Sequence, residues 1–290
     1  MIKSTLDKNS NSLVAFSDNS SVINGFLTSI LVKNDSNNIV IKKENIDIVL
    51  TAETHNFPSL ICPFEGANTG VGGRIRDNQA TGKGAYTLSS VAGYNVGSIN
   101  IDNLNFTNPI FEYYKNPLEI LINASNGASD YGNKYGEPII GGFTRSFGSN
   151  INNNHIEWIK PVMFSAGIGG INKKHLFKDP PKENMLIIRL GGPAYKIGMG
   201  GGFSSSNIQN TGNLTREYNA IQRGDPQMAN KLNNVIKTLI DKCENNPIIS
   251  IHDQGCGGLA NVVKEIVYPN GGIIKLEEVS CGDKSLSPLE

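Results

Sequence analysis

Four glycines fall in eight positions between Gly66 and Gly73, in the run Gly66-Ala-Asn-Thr-Gly-Val-Gly-Gly-Arg-Ile-Arg-Asp77. Just ahead of it, the β-branched segment Ile46 to Ala52 leads into Thr51-Ala-Glu-Thr-His-Asn-Phe-Pro58. The segment reads as a strand that ends where titratable chemistry begins, and the glycine run reads as a loop. A backbone without Cβ atoms can approach an anion closely and offer its N–H groups. Glu53, His55, Arg74, Arg76 and Asp77 add charge and proton-transfer groups beside it. The pattern predicts a nucleotide site at a strand's end. It is of neither common kind, because no Gly-Lys-Ser/Thr follows and the Gly-x-Gly-x-x-Gly spacing is absent.

A chain of 290 residues that is 38% hydrophobic can bury a core in each of two ordinary domains. Its 26 acidic and 26 basic residues give zero formal charge and no long single-sign block, which excludes the footprint of a duplex-binding protein and leaves room for a small phosphorylated ligand. Cys62, Cys243, Cys256 and Cys281 lack any Cys-x-x-Cys spacing and read as free thiols in a reducing compartment. No apolar run approaches the roughly 20 residues of a membrane span, and Met1-Ile-Lys-Ser-Thr lacks the apolar core of a signal peptide. The expected address is cytoplasmic, with neither nucleic acid nor membrane as partner.

Along the chain, Tyr86 to Ile101 predicts one or two strands and Pro117 to Ala128 a helix with proline in its first turn. Asn150 to Asn154 reads as an exposed loop. The charged, proline-bearing stretch between Asn172 and Asn184 is read as the domain boundary, dividing the chain into residues 1–172 and 173–290. Beyond it, Met185 to Leu190 predicts a buried strand, Pro226 to Cys243 an amphipathic helix, and Ile248 to Ile251 a strand. His252 to Gly258 then reads as a second acidic, glycine-rich turn that starts another helix. The alternation is mixed α/β.

Glu53, Asp77 and Asp253 stand at the ends of apolar runs or in glycine turns. Hard oxygen ligands of this kind suit a magnesium–nucleotide, while Asp77 and Asp253 equally suit helix caps. His55 and His252 each adjoin one of these carboxylates, as a general acid or base or as a hydrogen-bonding prop for the turn.

Glu53 to Pro58, the Gly66 to Asp77 run, Glu119 to Arg145, Trp158-Ile-Lys-Pro161, Gln222-Arg-Gly-Asp-Pro226 and His252-Asp-Gln-Gly together resemble one family from nearly end to end: the phosphoribosylformylglycinamidine synthases, in their large eukaryotic form. The resemblance implies an aminoimidazole ribonucleotide synthetase-like (PurM-like) unit, with an α/β N-terminal domain that carries the ATP and substrate site and an α+β second domain. It implies a ligase of purine biosynthesis. ATP phosphorylates the formamide oxygen of formylglycinamide ribonucleotide, and ammonia, supplied by a glutaminase domain, displaces phosphate through an iminophosphate.

By motif match, Glu53, Asp77 and Asp253 fall at positions for Mg2+. Gly66, Ala67, Asn68, Thr69, Gly70, Val71, Gly72, Gly73, Arg74, Ile75, Arg76 and Asp77 fall at ATP-binding positions. Thr54, His55, Asn56, Phe57, Arg76 and Gln222 fall at substrate-contact positions, with His55 as the proton acceptor. Thr51, Phe203 and Cys256 depart from the family's usual residues, and Glu217 stands near the place of an aspartate. Family members are several times longer, so the chain is expected to be one synthase half, truncated in its second domain and needing a second half or a second copy. The alternatives are a non-catalytic nucleotide-binding half, and a relative of aminoimidazole ribonucleotide or selenophosphate synthetases. The second is disfavoured because those lack the Glu119 to Arg145 match.

Overall fold

The structure, a computed structural model, describes residues 2–8, 11–34, 36–99, 114–196, 202, 204–208, 214–255 and 257–289. Phe203, Cys256 and the stretch from 100 to 113, which includes the far end of the expected Tyr86 to Ile101 strands, lie outside the described residues. Its centre is a six-stranded sheet. The strands are β1 (Ser12–Val14), β2 (Ser21–Lys33), β3 (Ile39–Thr54), β4 (Tyr86–Val96), β5 (Ile139–Ser146) and β8 (Val162–Asn172), in the order β1-β2-β3-β8-β4-β5. Only β4 and β5 run parallel; they are joined through a helix, as a parallel pair requires. A separate hairpin, β6 (Gly148–Ile151) and β7 (Asn154–Glu157), turns at Asn152 and Asn153, both with positive φ. Asparagine tolerates that conformation, which is why an asparagine-rich loop resolves into a tight turn.

The glycine run is not a loop. Residues 66–77 lie inside helix α2 (Pro63–Gln79), which follows the short α1 (Phe57–Ile61). Gly66, Ala67, Asn68, Thr69, Gly70, Val71, Gly72, Arg74 and Ile75 are buried. Glycine costs about 1 kcal/mol relative to alanine in a helix interior, so a helix with four of them needs a packing reason. A Cβ on Gly66 would stand 2.4 Å from the Pro58 carbonyl carbon, one on Gly70 2.9 Å from His55 Cβ, and one on Gly72 2.6 Å from Tyr131 Cζ. The glycines let α1, the end of β3 and the next helix approach α2 closely.

That next helix, α3 (Pro117–Tyr135), is longer than the Pro117 to Ala128 expected. Asn116 caps its start by accepting from Glu119 N at 2.9 Å, and Gly136, with φ +98°, ends it. Ile120, Ala124, Ala128, Tyr131 and Tyr135 recur at helical spacing and are buried. The last four of these, with Ala67, Val71 and Ile75 of α2, Ala92 and Tyr94 of β4 and Met163 of β8, form the core between helices and sheet. Gly127 matches the glycines opposite, since its Cβ would meet the Phe64 carbonyl oxygen at 2.0 Å.

The second half departs further from expectation. Met185 to Leu190 forms no strand, and Leu186 and Ile188 are 88% and 73% exposed. An apolar run becomes a buried strand only when neighbours supply ladder partners and a face to pack on, and among the described residues none stands beside it. Ile248 to Ile251 is likewise irregular. Helices α4 (Leu214–Asn219), α5 (Pro226–Ile240) and α6 (Gly258–Val267) do form. The helix expected to reach Cys243 ends at Ile240. α5 is capped by Asp225 and tied to α3 by Asn230 Nδ2, which donates to Tyr135 O at 2.7 Å. The boundary stretch is pinned rather than free: His175 and Leu176 are buried, and Asp179 N donates to Ile249 O at 2.8 Å.

Candidate active site

Strand β3 delivers the first site residues. At its end, Glu53 and Thr54 are exposed, and His55 N continues the ladder by donating to Met163 O at 2.9 Å. The His55 ring lies against Gly70 of α2, where Nδ1 meets the Gly66 carbonyl at 2.5 Å. A carbonyl only accepts, so Nδ1 carries the proton and Nε2 keeps its lone pair. Burial, with the Arg76 charge nearby, lowers the His55 pKa to about 4, against the pull of the Gly66 bond. His55 is therefore neutral at physiological pH, with one nitrogen fixed and the other available to accept a proton.

Asn56 and Phe57 divide. Phe57 is 1% exposed and sits in a second apolar cluster with Leu60, Val96, Ile120, Ala220 and Ile221, so its side chain packs and does not face a ligand. The same cluster brings in the neighbour of Gln222. Gly224 then sits so close to α2 that a Cβ would meet Asn68 Oδ1 at 2.4 Å, and Gln222, two residues before it, is half-buried. Asn56 Oδ1 is buried without a hydrogen-bond partner, and so is Arg76 Nε. Orphaned polar atoms of this kind are costly unless a ligand or water meets them.

The carboxylates meet across the chain. Asp77, in the last turn of α2, and Asp253, in an irregular segment 176 positions later, share one side chain: Asn19 Nδ2 donates to Asp77 Oδ1 at 3.2 Å and to Asp253 Oδ1 at 2.6 Å. Arg76 Nε lies 4.0 Å from Asp253 Oδ2. Burial and the charges of Asp253 and Glu53 push the Asp77 carboxyl up to about 7, with Asn19 and Arg76 opposing. Burial and Asp253 raise Glu53 as well. Neither aspartate caps a helix. A carboxyl such as that of Asp77, whose proton affinity neighbouring carboxylates raise, is one that a hard divalent cation relieves. Among the described residues, however, no three such groups converge closely enough to ligate one ion as they stand; Glu53 is coupled to the pair but remains at the rim.

Two expectations fall away on structural grounds. The backbone N–H groups of residues 66–77, inside α2, are engaged in helical hydrogen bonds and cannot cradle a phosphate, so only side chains such as those of Arg76 and Asp77 can act from this run. Arg74, fully buried, pairs with buried Glu137 between α2 and the sheet and does not face the site. Asn19 and Lys178 were not legible as site residues: the sequence offers only an Asp-Asn turn before a strand and a lysine in a boundary stretch. A cavity of about 530 Å³ between β4, β5 and α3, lined by Tyr94, Ser125, Ser129 and Phe143 among others, includes none of the expected site residues.

Two family models match, the AIR synthase related protein N-terminal domain over residues 34–169 and its C-terminal domain over 182–290. A probable phosphoribosylformylglycinamidine synthase of Arabidopsis thaliana, described as chloroplastic/mitochondrial, is 48% identical over 100% of this chain and 21% of its own length. The Homo sapiens phosphoribosylformylglycinamidine synthase is 45% identical over 97% of this chain and 22% of its own. The chain belongs to the AIR synthase related proteins. It spans about a fifth of the length of these curated relatives. The synthase fold is shared by T. maritima PurL complexed with FGAR, at a TM-score of 0.61 and 22% identity over 99% of this chain and 39% of that one. PurL complexed with ADP matches with a TM-score of 0.58 and 21% identity, over 96% of this chain and 36% of that one.

Proposed function

We propose that the chain carries the ATP and formylglycinamide ribonucleotide site of a phosphoribosylformylglycinamidine synthase. The γ-phosphoryl group of ATP passes to the formamide oxygen and ADP leaves; ammonia then adds at that carbon and phosphate departs, giving the amidine. Phosphorylation turns a poor leaving oxygen into a good one, and the transfer calls for concentrated positive charge around the phosphoryl oxygens. Asp77 and Asp253, with Glu53 from the rim, would hold Mg2+, which neutralises that charge when bound. Arg76 faces the same region, Thr54, Asn56 and Gln222 contact substrate, and His55 Nε2 accepts a proton from the attacking ammonia. The single observation that carries this reading is His55: half-buried, neutral, held by Gly66 through Nδ1 and set near the Arg76 guanidinium. The relatives' names and the fold shared with PurL support the substrate class.

We also infer the two domains, residues 1–172 and 173–290, a reading supported by the family models' separation between 169 and 182. A second synthase half or second copy completes the site, ammonia comes from a glutaminase elsewhere, and the location is cytoplasmic; no described helix is long and apolar enough to cross a membrane. A non-catalytic half is the second reading, favoured by the carboxylates, no three of which converge on one point among the described residues. The test is amidine formation from formylglycinamide ribonucleotide, Mg–ATP and ammonium chloride, with the mass of the species in solution measured on the same sample. Turnover supports the first reading; nucleotide binding without turnover supports the second.

A further inference from the structure

The turn Asp18-Asn19 precedes β2 and belongs to none of the motifs that point to the synthase family, yet it touches three separate parts of the site. Asp18 accepts from Gly82 N at 3.0 Å, just beyond α2, and pairs with Lys178 Nζ at 2.7 Å. Asn19 uses both ends of its amide. Its NH2 group spans Asp77 and Asp253, and its Oδ1 accepts from Lys178 Nζ at 3.2 Å. An amide has two N–H donors and one acceptor oxygen, and all three functions are used here by partners of the matching kind. Turning it over would set the oxygen against two carboxylates and the NH2 against an ammonium, so the orientation is fixed by charge on both sides.

We propose that Asn19 is a positioning residue that fixes the Asp77 and Asp253 carboxylates relative to one another, with Lys178 orienting its amide. The inference rests on the reading of those two aspartates as cation ligands. Asp77 rides on α2, and Asp253 arrives from the far side of the boundary stretch; no direct hydrogen bond between them could hold two like charges together. Asn19 engages one oxygen of each, Oδ1 in both cases, and leaves both Oδ2 atoms for other partners. Lys178 lies in the stretch that the sequence marked as a linker, so the clasp also explains why that stretch is pinned.

The test measures Mn2+ affinity by electron paramagnetic resonance, with and without ADP, for the full chain and for Asn19→Ala, Asn19→Leu, Asn19→Gln and Asp77→Asn, with a thermal melt of each. Removing the donor in Asn19→Ala or Asn19→Leu is expected to weaken Mn2+ binding roughly tenfold, as loss of a ligand-orienting partner does, with little change in melting temperature; Asn19→Gln, which keeps the donor, recovers part of the loss. Asn19 variants that bind Mn2+ as the parent chain does, while Asp77→Asn does not, overturn the positioning role and leave the ligand reading standing. An unchanged affinity in Asp77→Asn removes the ligand reading and the inference with it. If both donor-removing variants fail to fold, Asn19 is a folding residue and the proposal is overturned.

Discussion

His55 combines an exposed-sounding motif with a buried ring, and the consequence is titration far from the ordinary imidazole range. Its folded pKa, about 4, lies below the 6.5 of an unfolded chain, so the neutral form is favoured by folding. Stability from this group is therefore complete above about 6.5 and is lost as pH falls from there toward 4. A ring-proton titration by NMR should place His55 near 4, and a midpoint near 6.5 would contradict its burial and its Gly66 bond. Arg74 and Glu137 illustrate the opposite use of charge. Both are fully buried and each is the other's partner, so Glu137→Gln or Arg74→Met should cost about 3–5 kcal/mol by leaving an unpaired buried charge. The double variant with an apolar pair should cost less than the sum of the two. Urea midpoints of the three variants decide this, and additive losses would mean that the pair is not coupled.

At the scale of elements, α2 is the clearest departure from local rules. Its glycines sit where three neighbours come close, and they should respond differently to alanine. Gly66→Ala and Gly72→Ala place a Cβ 2.4 Å and 2.6 Å from other atoms and should destabilise by about 1–3 kcal/mol through overpacking. Gly73 meets nothing nearer than Arg76 Nη2 at 3.6 Å, so Gly73→Ala should stabilise by roughly 0.5–1 kcal/mol through helix propensity. Thermal melts of the three variants test the pattern; uniform losses would return the segment to a loop. The reading of this run as a loop failed because glycine spacing alone cannot distinguish a turn from a helix stripped of side chains for close packing. By contrast, α3 was legible from Pro117 and its apolar residues, but its length and its inward face were missed: Leu118 and Ile122 are exposed while Ile120, Ala124, Ala128, Tyr131 and Tyr135 are buried, and Gly127 and Gly132 look like breaks but are contact points.

Across the whole molecule, the helices cover one face of the sheet and leave large apolar groups on the other. Leu50 and Ile168, paired across β3 and β8, are 51% and 42% exposed, and the rings of Phe143 and Phe164 meet at a tilt of 31° with centroids 6.0 Å apart. A contiguous apolar sheet face is unusual on a monomer. If it receives a second synthase half or a second copy, Ile168→Asp should shift the chain from an associated species to a monomer in sedimentation velocity while leaving its melting temperature within a few degrees. An associated variant would place the interface elsewhere.

The sequence by itself determined which polar and titratable groups the chain can offer: Glu53, His55, Arg76, Asp77, Gln222 and Asp253 stand out as residues in its motifs. It also determined β3, β4, α3 and α5, whose periodicity and caps are local. Tertiary structure alone decided where each group stands and what it touches. It turned the glycine run into a packed helix, withdrew Arg74 and Phe57 into the interior, left Met185 to Leu190 without a strand partner, and brought Asn19 and Lys178 to the carboxylates. These outcomes depend on contacts between residues far apart in the chain, and the burial that sets their charge states exists only once those contacts have formed.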